Sequence, residues 1–214
     1  MLTIHTAALL LPGGGRAPVP GGAVAVQDAV TVAFGPYGEL AASHPAARVR
    51  RWPGVLTPGL LQRDAVRLLE GSYFPDPREA DTLGTAPLTG EALDALGPDD
   101  TWRAGSVRRG LHRMLRHGTT AATAAPTASS ALITAMRRSG LLVIGTQAHP
   151  GGAPRLDPLA GAVAVAGAMA APLTVGGRAD LAAFDVPDEE ALLAAGGASC
   201  VATVAAGRLV YRGR

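Results

Sequence analysis

The stretch from Val55 to Glu70, VLTPGLLQRDAVRLLE, constrains the fold of this chain most strongly. It begins as an apolar strand, passes through Pro58-Gly59 and continues into a segment in which apolar and polar residues are mixed. Before it, short strand-like runs are separated by Gly and Pro, and after it longer strand and helix patterns alternate. One segment therefore joins a β-rich region to an α/β region.

The two ends of the chain both consist of short strands with Gly and Pro between them, which is typical of a small β-sandwich or meander. Residues Gly35 to Gly38 are predicted to form a turn, and Glu189–Ala195 a short helix. The predicted strands are Thr3–Leu11, Ala23–Gln27, Val30–Phe34 and Arg48–Trp52 at one end, and Asp180–Asp185, Cys200–Ala205 and Arg208–Tyr211 at the other.

The middle of the chain has the β-α-β-α-β order of a parallel sheet. The predicted helices are Trp102–Arg116, capped by residues 99–101 and ended by Gly118, and Ala128–Arg138. The predicted strands are Thr119–Ala125 and Leu141–Gly145, the second an apolar run typical of a strand buried on both faces. Gly71 to Gly90 is predicted to be a long loop, and Leu159–Ala171 a buried apolar helix.

Composition excludes several kinds of site. The 214 residues are 48% hydrophobic, which is enough for one large or two small domains, and the net charge of +2 provides no strong field to steer a polyanion. All 19 basic residues are arginine, so a carbamylated lysine cannot bridge two metals. Cys200 is the one cysteine, which excludes an intrachain disulfide and a thiolate zinc cluster. Without a signal-peptide pattern or a membrane-spanning run, we expect a cytoplasmic protein.

Three stretches resemble metal-dependent amidohydrolases, and among these imidazolonepropionase and aminodeoxyfutalosine deaminase. Val55 to Leu60 matches the Pro-Gly entry to the first barrel strand, and Leu115 to Thr120 (LRHGTT) matches the entry to the second. Thr174 to Leu181 (TVGGRADL), together with Ala206 to Tyr211 (AGRLVY), matches the return of the chain into the sandwich. The chain resembles a truncated, degenerate member of that family.

The resemblance implies an α/β fold with a composite β-sandwich formed by both chain ends plus a partial, incomplete (β/α) barrel in the middle. Residues 1–54 and 174–214 would form the sandwich domain, and residues 55–173 the barrel segment. A full family member is much longer, so most of the eight barrel strands are missing. Leu141 to Gly145 could correspond to the third barrel strand or to the last one.

The family's metal ligands are not matched. The two histidine positions of its His-x-His motif hold Asp64 and Val66, and, if Leu141 to Gly145 is the last strand, Gln147 replaces a metal-binding aspartate. We therefore predict no metal and no cofactor. Catalytic residues stay unassigned, with Asp64 and His149 as candidates, and Arg63, Asp64, Gln147 and His149 are predicted to line a ligand site.

Other polar residues have structural interpretations. His117 is predicted to be a helix C-terminal residue, and His5 and His44 surface or packing residues. The arginines of the helix at 102–116 are predicted to form a solvated face rather than an RNA surface.

Three functions fit these patterns. The first is a non-hydrolytic amidohydrolase relative that binds a small heterocyclic ligand or a partner, by homodimerisation or by docking onto another enzyme, without nucleic acid or membrane. The alternative is a metal-dependent hydrolase of non-peptide C–N bonds, with zinc or iron in an unusual or partner-completed site. A third is a nucleic-acid-associated module that uses the arginine helix.

Overall fold

The computed structural model describes residues 1–97, 99–125, 128–145 and 152–213. Its strands are β1 Leu2–Thr6, β2 Leu9–Leu10, β3 Val19–Pro20, β4 Gly22–Gln27, β5 Val30–Pro36, β6 Arg48–Arg51, β7 Val55–Pro58, β8 Leu60–Gln62, β9 Ser72–Tyr73, β10 Leu88–Thr89, β11 Thr119–Ala124, β12 Leu142–Gly145, β13 Leu181–Phe184, β14 Cys200–Ala205 and β15 Arg208–Arg212. Its α-helices are α1 Tyr37–Ser43, α2 Ala65–Glu70, α3 Ala80–Leu83, α4 Glu91–Leu96, α5 Asp100–Leu115, α6 Ser130–Arg138 and α7 Glu189–Ala195.

The two ends of the chain meet in one sheet. Six strands follow one another in the order β15-β14-β13-β7-β2-β3, and a second sheet has the order β5-β4-β1-β6. Buried side chains of both sheets share one core cluster, with Val24 and Val26 from β4 against Leu56, Leu181 and Val204 from the six-stranded sheet. Apolar residues separated by more than a hundred positions in the chain thus bury one another.

The middle of the chain forms the predicted parallel sheet. Its three strands lie in the order β12-β11-β8, and both neighbouring pairs are parallel. Helices α2, α5 and α6 cover one face of this sheet, where Leu68, Met114 and Met136 pack around Ala122 of β11. Asp99 caps α5 through its side chain, which accepts a hydrogen bond from the backbone N of Trp102 at 2.8 Å.

Gly59 lies where these sheets join. The chain leaves the six-stranded sheet at the end of β7 and enters the parallel sheet as β8 one residue later. The Gly59 backbone N–H donates to the Asp180 carbonyl at 2.9 Å, and the next N–H, of Leu60, donates to the Gly118 carbonyl at 2.9 Å. A Cβ on Gly59 would overlap the side chain of Thr120. The Pro-Gly pattern therefore reflects a close approach that only glycine permits.

Two predicted irregular regions contain regular structure. The predicted turn at Gly35 to Gly38 is the end of β5 followed directly by the start of helix α1, whose Leu40 is buried against the four-stranded sheet. The predicted loop Gly71 to Gly90 contains the β9–β10 hairpin, helix α3 and a 3-10 turn at Pro77–Glu79. That turn has a capping box, in which Asp76 and Glu79 satisfy each other's backbone N–H groups, a pattern present in the sequence DPRE.

Two other predictions were wrong, one of a helix and one of a strand buried on both faces. Leu159–Ala171 is not an α-helix; it contains a short 3-10 turn at Val165–Ala168 and then joins the Gly59 edge, where the Ala170 N–H donates to the Gly59 carbonyl. The strand predicted to be buried on both faces is partly exposed, with Leu142 40% accessible, because β12 is the edge of its sheet.

No helix within the described ranges is long and apolar enough to cross a membrane.

We expect Gly59→Ala to lower the free energy of unfolding by about 1–3 kcal/mol, because the added methyl group must displace Thr120 in a packed interior. Urea unfolding measures this. The double variant Gly59→Ala/Thr120→Gly should lose less unfolding free energy than the two single variants lose together. Gly38→Ala, in helix α1 with open space around the new methyl group, serves as the control and should be neutral or slightly stabilising. A neutral Gly59→Ala would show that the sheets do not depend on this close approach.

Candidate functional site

The carboxyl end of β8 leads into Arg63 and Asp64, two of the four residues predicted to line a ligand site. Gln62 is the last residue of the strand and is only 2% exposed. Its side-chain amide donates to the carbonyls of Arg155 at 3.0 Å and Leu156 at 2.9 Å, and its side-chain oxygen accepts from the Asp64 backbone N–H at 2.9 Å. Gln62 therefore fastens a distant stretch of chain to the end of the strand.

Asp64 takes part in the same attachment. It precedes the first residue of α2, and its side chain is 14% exposed. One carboxylate oxygen accepts from Arg67 at 3.2 Å, and the other accepts from the backbone N–H of Arg155 at 3.1 Å. Arg67 in turn donates to the Gly152 carbonyl at 2.7 Å. We call Gln62, Asp64 and Arg67, with the segment 152–156 that they hold, the latch.

Arg63 extends these attachments along the chain. Its guanidinium donates to the Gly167 carbonyl at 3.1 Å, and its own carbonyl accepts from the Thr123 hydroxyl at 2.8 Å. Next to these contacts, Leu60 packs in one cluster with Val165 and Met169. The segment 152–169 thus lies along β8, and its Leu156 also packs against the cluster that the helices form with the parallel sheet.

The residues around the end of β8 do not fit a catalytic zinc or iron, which needs about three His or carboxylate ligands and an open position. Val66, at the second motif position, packs on α2 against the core of the parallel sheet. No group of three His, Cys, Asp or Glu residues that could hold a metal exists in the described part of the chain. The structure therefore brings Arg63 and Asp64 together, whereas Gln147 and His149 lie outside the described residues.

Sequence reasoning missed Gln62. A long polar side chain that ends an apolar strand, Leu60-Leu61-Gln62, was the available signal. A buried amide must find partners, so such a residue predicts a polar contact at the strand end. Its partners lie more than ninety residues away, and the sequence does not indicate them.

His5 and His117 have packing roles. The His5 ring is 1% exposed and stacks on Trp52 with centroids 6.0 Å apart, and its Nδ1 accepts from the Trp52 indole N–H at 3.1 Å. Burial, with Arg50 nearby, lowers the pKa of His5 from its ordinary 6.5 to about 4. The Nδ1 of His117 donates to the Arg113 carbonyl at 2.8 Å, in agreement with the predicted position at a helix end. Neither ring contacts the latch.

Helix α5 does not present a uniform solvated face of arginines. Arg109 donates to the Phe74 carbonyl at 2.6 Å and lies over the Tyr73 ring, and Arg113 donates to the Thr85 carbonyl at 2.6 Å. These two side chains fasten the 72–85 segment to the helix. The Cys200 thiol is buried, which raises its pKa to about 11, so it is not an activated nucleophile.

Comparison with family models and with curated proteins gives no match. Solved structures similar to this chain include a guanine deaminase from Bradyrhizobium japonicum, with 21% identity over 68% of this chain and 34% of that one and a TM-score of 0.46. An ochratoxinase from A. niger shares 19% identity over 67% of this chain and 31% of its own, with a TM-score of 0.45.

An aminofutalosine deaminase from Helicobacter pylori shares 14% identity over 75% of this chain and 37% of its own, with a TM-score of 0.44. The structure neighbours are thus deaminases and hydrolases of the amidohydrolase superfamily, at low identity. This chain spans about a third of their length.

We expect Gln62→Leu to release the latch, because the carbonyls of Arg155 and Leu156 lose their buried donor. Leaving such groups unpaired costs about 1–3 kcal/mol of folding free energy. Hydrogen exchange in peptides that span residues 152–157 should accelerate. Gln27→Leu changes an exposed glutamine at the end of β4 and should leave this exchange unchanged. Equal protection of the segment in the Gln62→Leu variant and the original protein would contradict the latch.

Acid should destabilise the protein through His5. Its pKa is lower in the folded protein than in the unfolded chain, so the unfolded chain binds more protons between about pH 6.5 and pH 4. The contribution of neutral His5 to the free energy of unfolding is then fully present above pH 6.5. It falls with decreasing pH by up to about 1.4 kcal/mol per pH unit.

The comparison that isolates this effect uses His5→Gln, which keeps an acceptor for the Trp52 indole. Its unfolding free energy should change less between pH 6.5 and pH 4.5 than that of the original protein, whereas His44→Gln should keep the full dependence. Parallel pH profiles for His5→Gln and the original protein would show that the His5 ring titrates normally.

Proposed function

We propose that this chain is a reduced, non-hydrolytic relative of metal-dependent amidohydrolases that acts by binding a small molecule or a partner protein. One observation carries the proposal: the latch occupies the end of β8, where the family's His-x-His motif would provide metal ligands. Both oxygens of Asp64 have hydrogen-bond partners of this chain, and Val66 cannot coordinate a metal.

The fold of the rest of the chain is compatible with a relative that lacks most of the family's barrel strands. We propose that residues 1–54 and 174–214, together with β7, form the composite β-sandwich, and that the remaining residues up to 173 form the partial barrel. Three features support this division. The six-stranded sheet combines strands of both chain ends, the parallel sheet has only three strands in the described residues, and the stretches that carry the family resemblance converge at Gly59.

A partial barrel has surfaces that a complete barrel would bury. The parallel sheet ends at β12, and Leu142 of that strand is 40% exposed. An open edge of this kind invites pairing with another chain. We therefore propose a homodimer or a complex with another enzyme, with neither nucleic acid nor membrane as partner. The buried thiol of Cys200 is compatible with the reducing cytoplasm.

A small heterocyclic ligand would bind at the end of β8. Arg63 and Asp64 provide a guanidinium and a carboxylate there, and both would exchange their present contacts, to Gly167 and within the latch, for charge-assisted hydrogen bonds to the ligand. Gln147 and His149, which follow β12 in the sequence, are the further candidates for contacts to this ligand.

The alternative function is hydrolysis of a non-peptide C–N bond by zinc or iron, with a partner that completes the site. The position of Asp64 favours it, because this carboxylate lies at the carboxyl end of the first parallel strand. The residues of the described chain would then supply only part of the ligand set, and Asp64 would have to leave its contacts in the latch.

Metal content distinguishes these functions. Protein purified without chelator or affinity tag should contain much less than one equivalent of zinc or iron by elemental analysis, and Asp64→Ala should contain the same. Asp185→Ala, at an exposed carboxylate, is the matched control. Near-stoichiometric metal that is lost in Asp64→Ala or His149→Ala, but not in the control, would instead support the hydrolase.

A further inference from the structure

Helices α5 and α6 do not close against each other. An open groove of about 1200 Å³ lies between them on the helix-covered side of the parallel sheet, and no residue of the latch lines it. Its floor is apolar and is formed by Leu111 and Leu115 of α5, Leu132 of α6 and the partly buried Val107 and Ala135. Exposed apolar surface of this extent is typical of interaction sites.

The rim of the groove is basic. Arg103 and Arg108 of α5 and Arg138 of α6 line it, and among the described lining residues Glu70 is the one carboxylate. Within the described chain, Arg108 and Arg138 form no ion pair. Two exposed cations beside an apolar floor, without a carboxylate of their own, complement an anionic partner.

The basic character continues along α5. His112 lines the groove and also a smaller depression of about 410 Å³, to which Arg116 and Arg212 contribute. Arg108, His112 and Arg116 are four residues apart, so they follow one side of the helix. Arg109 and Arg113 belong to a different set, because their guanidinium groups already fasten the 72–85 segment.

We propose that this groove binds an acidic amphipathic helix of a partner protein. Its volume is above the range of about 300–1000 Å³ that is usual for small-molecule sites, and it is open along one side. An apolar floor between two helices accepts the side chains that a third helix presents every three or four residues. Acidic residues beside that apolar stripe would meet Arg108 and Arg116 on one side of α5 and Arg138 on α6.

This inference rests on the proposed binding role and names the partner's chemistry. It does not depend on the metal content, since no residue of the latch lines the groove. A failure of the peptide test below would therefore leave the non-hydrolytic assignment unaffected, and the discovery of a bound metal would leave the groove unaffected.

The test uses a labelled synthetic helical peptide of about 16 residues, which matches the length of α5 at 1.5 Å per residue, with leucines along one face and glutamates beside them. Fluorescence anisotropy with the full chain should show saturable binding that weakens as salt increases. The double variant Arg108→Ala/Arg138→Ala should raise Kd about tenfold, a few-fold for each exposed arginine. Ala131→Trp, which fills the groove from its exposed edge, should abolish binding.

Arg137→Ala is the matched control, because this arginine of α6 is exposed but does not line the groove. It should bind the peptide with unchanged Kd, and all variants should keep the melting temperature of the original protein. A peptide with the same composition in scrambled order should not bind.

Two results would overturn the proposal. One is that the peptide does not bind, or that it binds the original protein and both variants with equal affinity. The variants compared are Arg108→Ala/Arg138→Ala and Ala131→Trp. The other is binding of dodecanoate, but not of the peptide, that Ala131→Trp removes, which would assign the groove to a small anionic amphiphile.

Discussion

The close approach of Gly59 to Thr120 is the constraint on which the rest of the structure depends. It allows one segment to end as β7 in a sheet made by both chain termini and to restart as β8 in a parallel sheet. The Gly59 amide is bonded to the Asp180 carbonyl, and the side chain of Asp180 accepts from the Ala206 N–H at 2.7 Å. Residues from the middle and the end of the sequence are therefore held by one backbone position.

The same junction explains where the latch lies. Because β8 is short, its carboxyl end is only three residues beyond Gly59, and the returning chain bonds to both places: Ala170 to Gly59, and Arg155 to Asp64. The returning segment thus covers β8 from Gly59 to the carboxyl end of the strand. The burial of Leu60 against Val165 and Met169 stabilises this arrangement.

Much of the fold could be predicted from local pattern. The sequence predicted helix α7 with its bounds, helix α5 with a cap at residues 99–101, and the alternation of strands and helices in the middle of the chain, because these depend on capping residues and on the period of apolar side chains. Leu159–Ala171 was misassigned since apolar composition does not distinguish a helix from an irregular segment that bonds to a strand edge. At the end of β8, Arg63 and Asp64 were predicted as ligand-site residues through the Pro-Gly pattern. Gln62 was not, because its partners are set by the tertiary fold.

The central claim is that the end of β8 is a structural latch and not a metal centre. A crystal structure of the protein soaked in zinc, with an anomalous difference map measured at the zinc edge, tests it most directly. The account predicts Asp64 bonded to Arg67 and to the Arg155 amide, as here, with no anomalous peak at its carboxylate. A zinc peak coordinated by Asp64, with the segment 152–156 displaced, would contradict it.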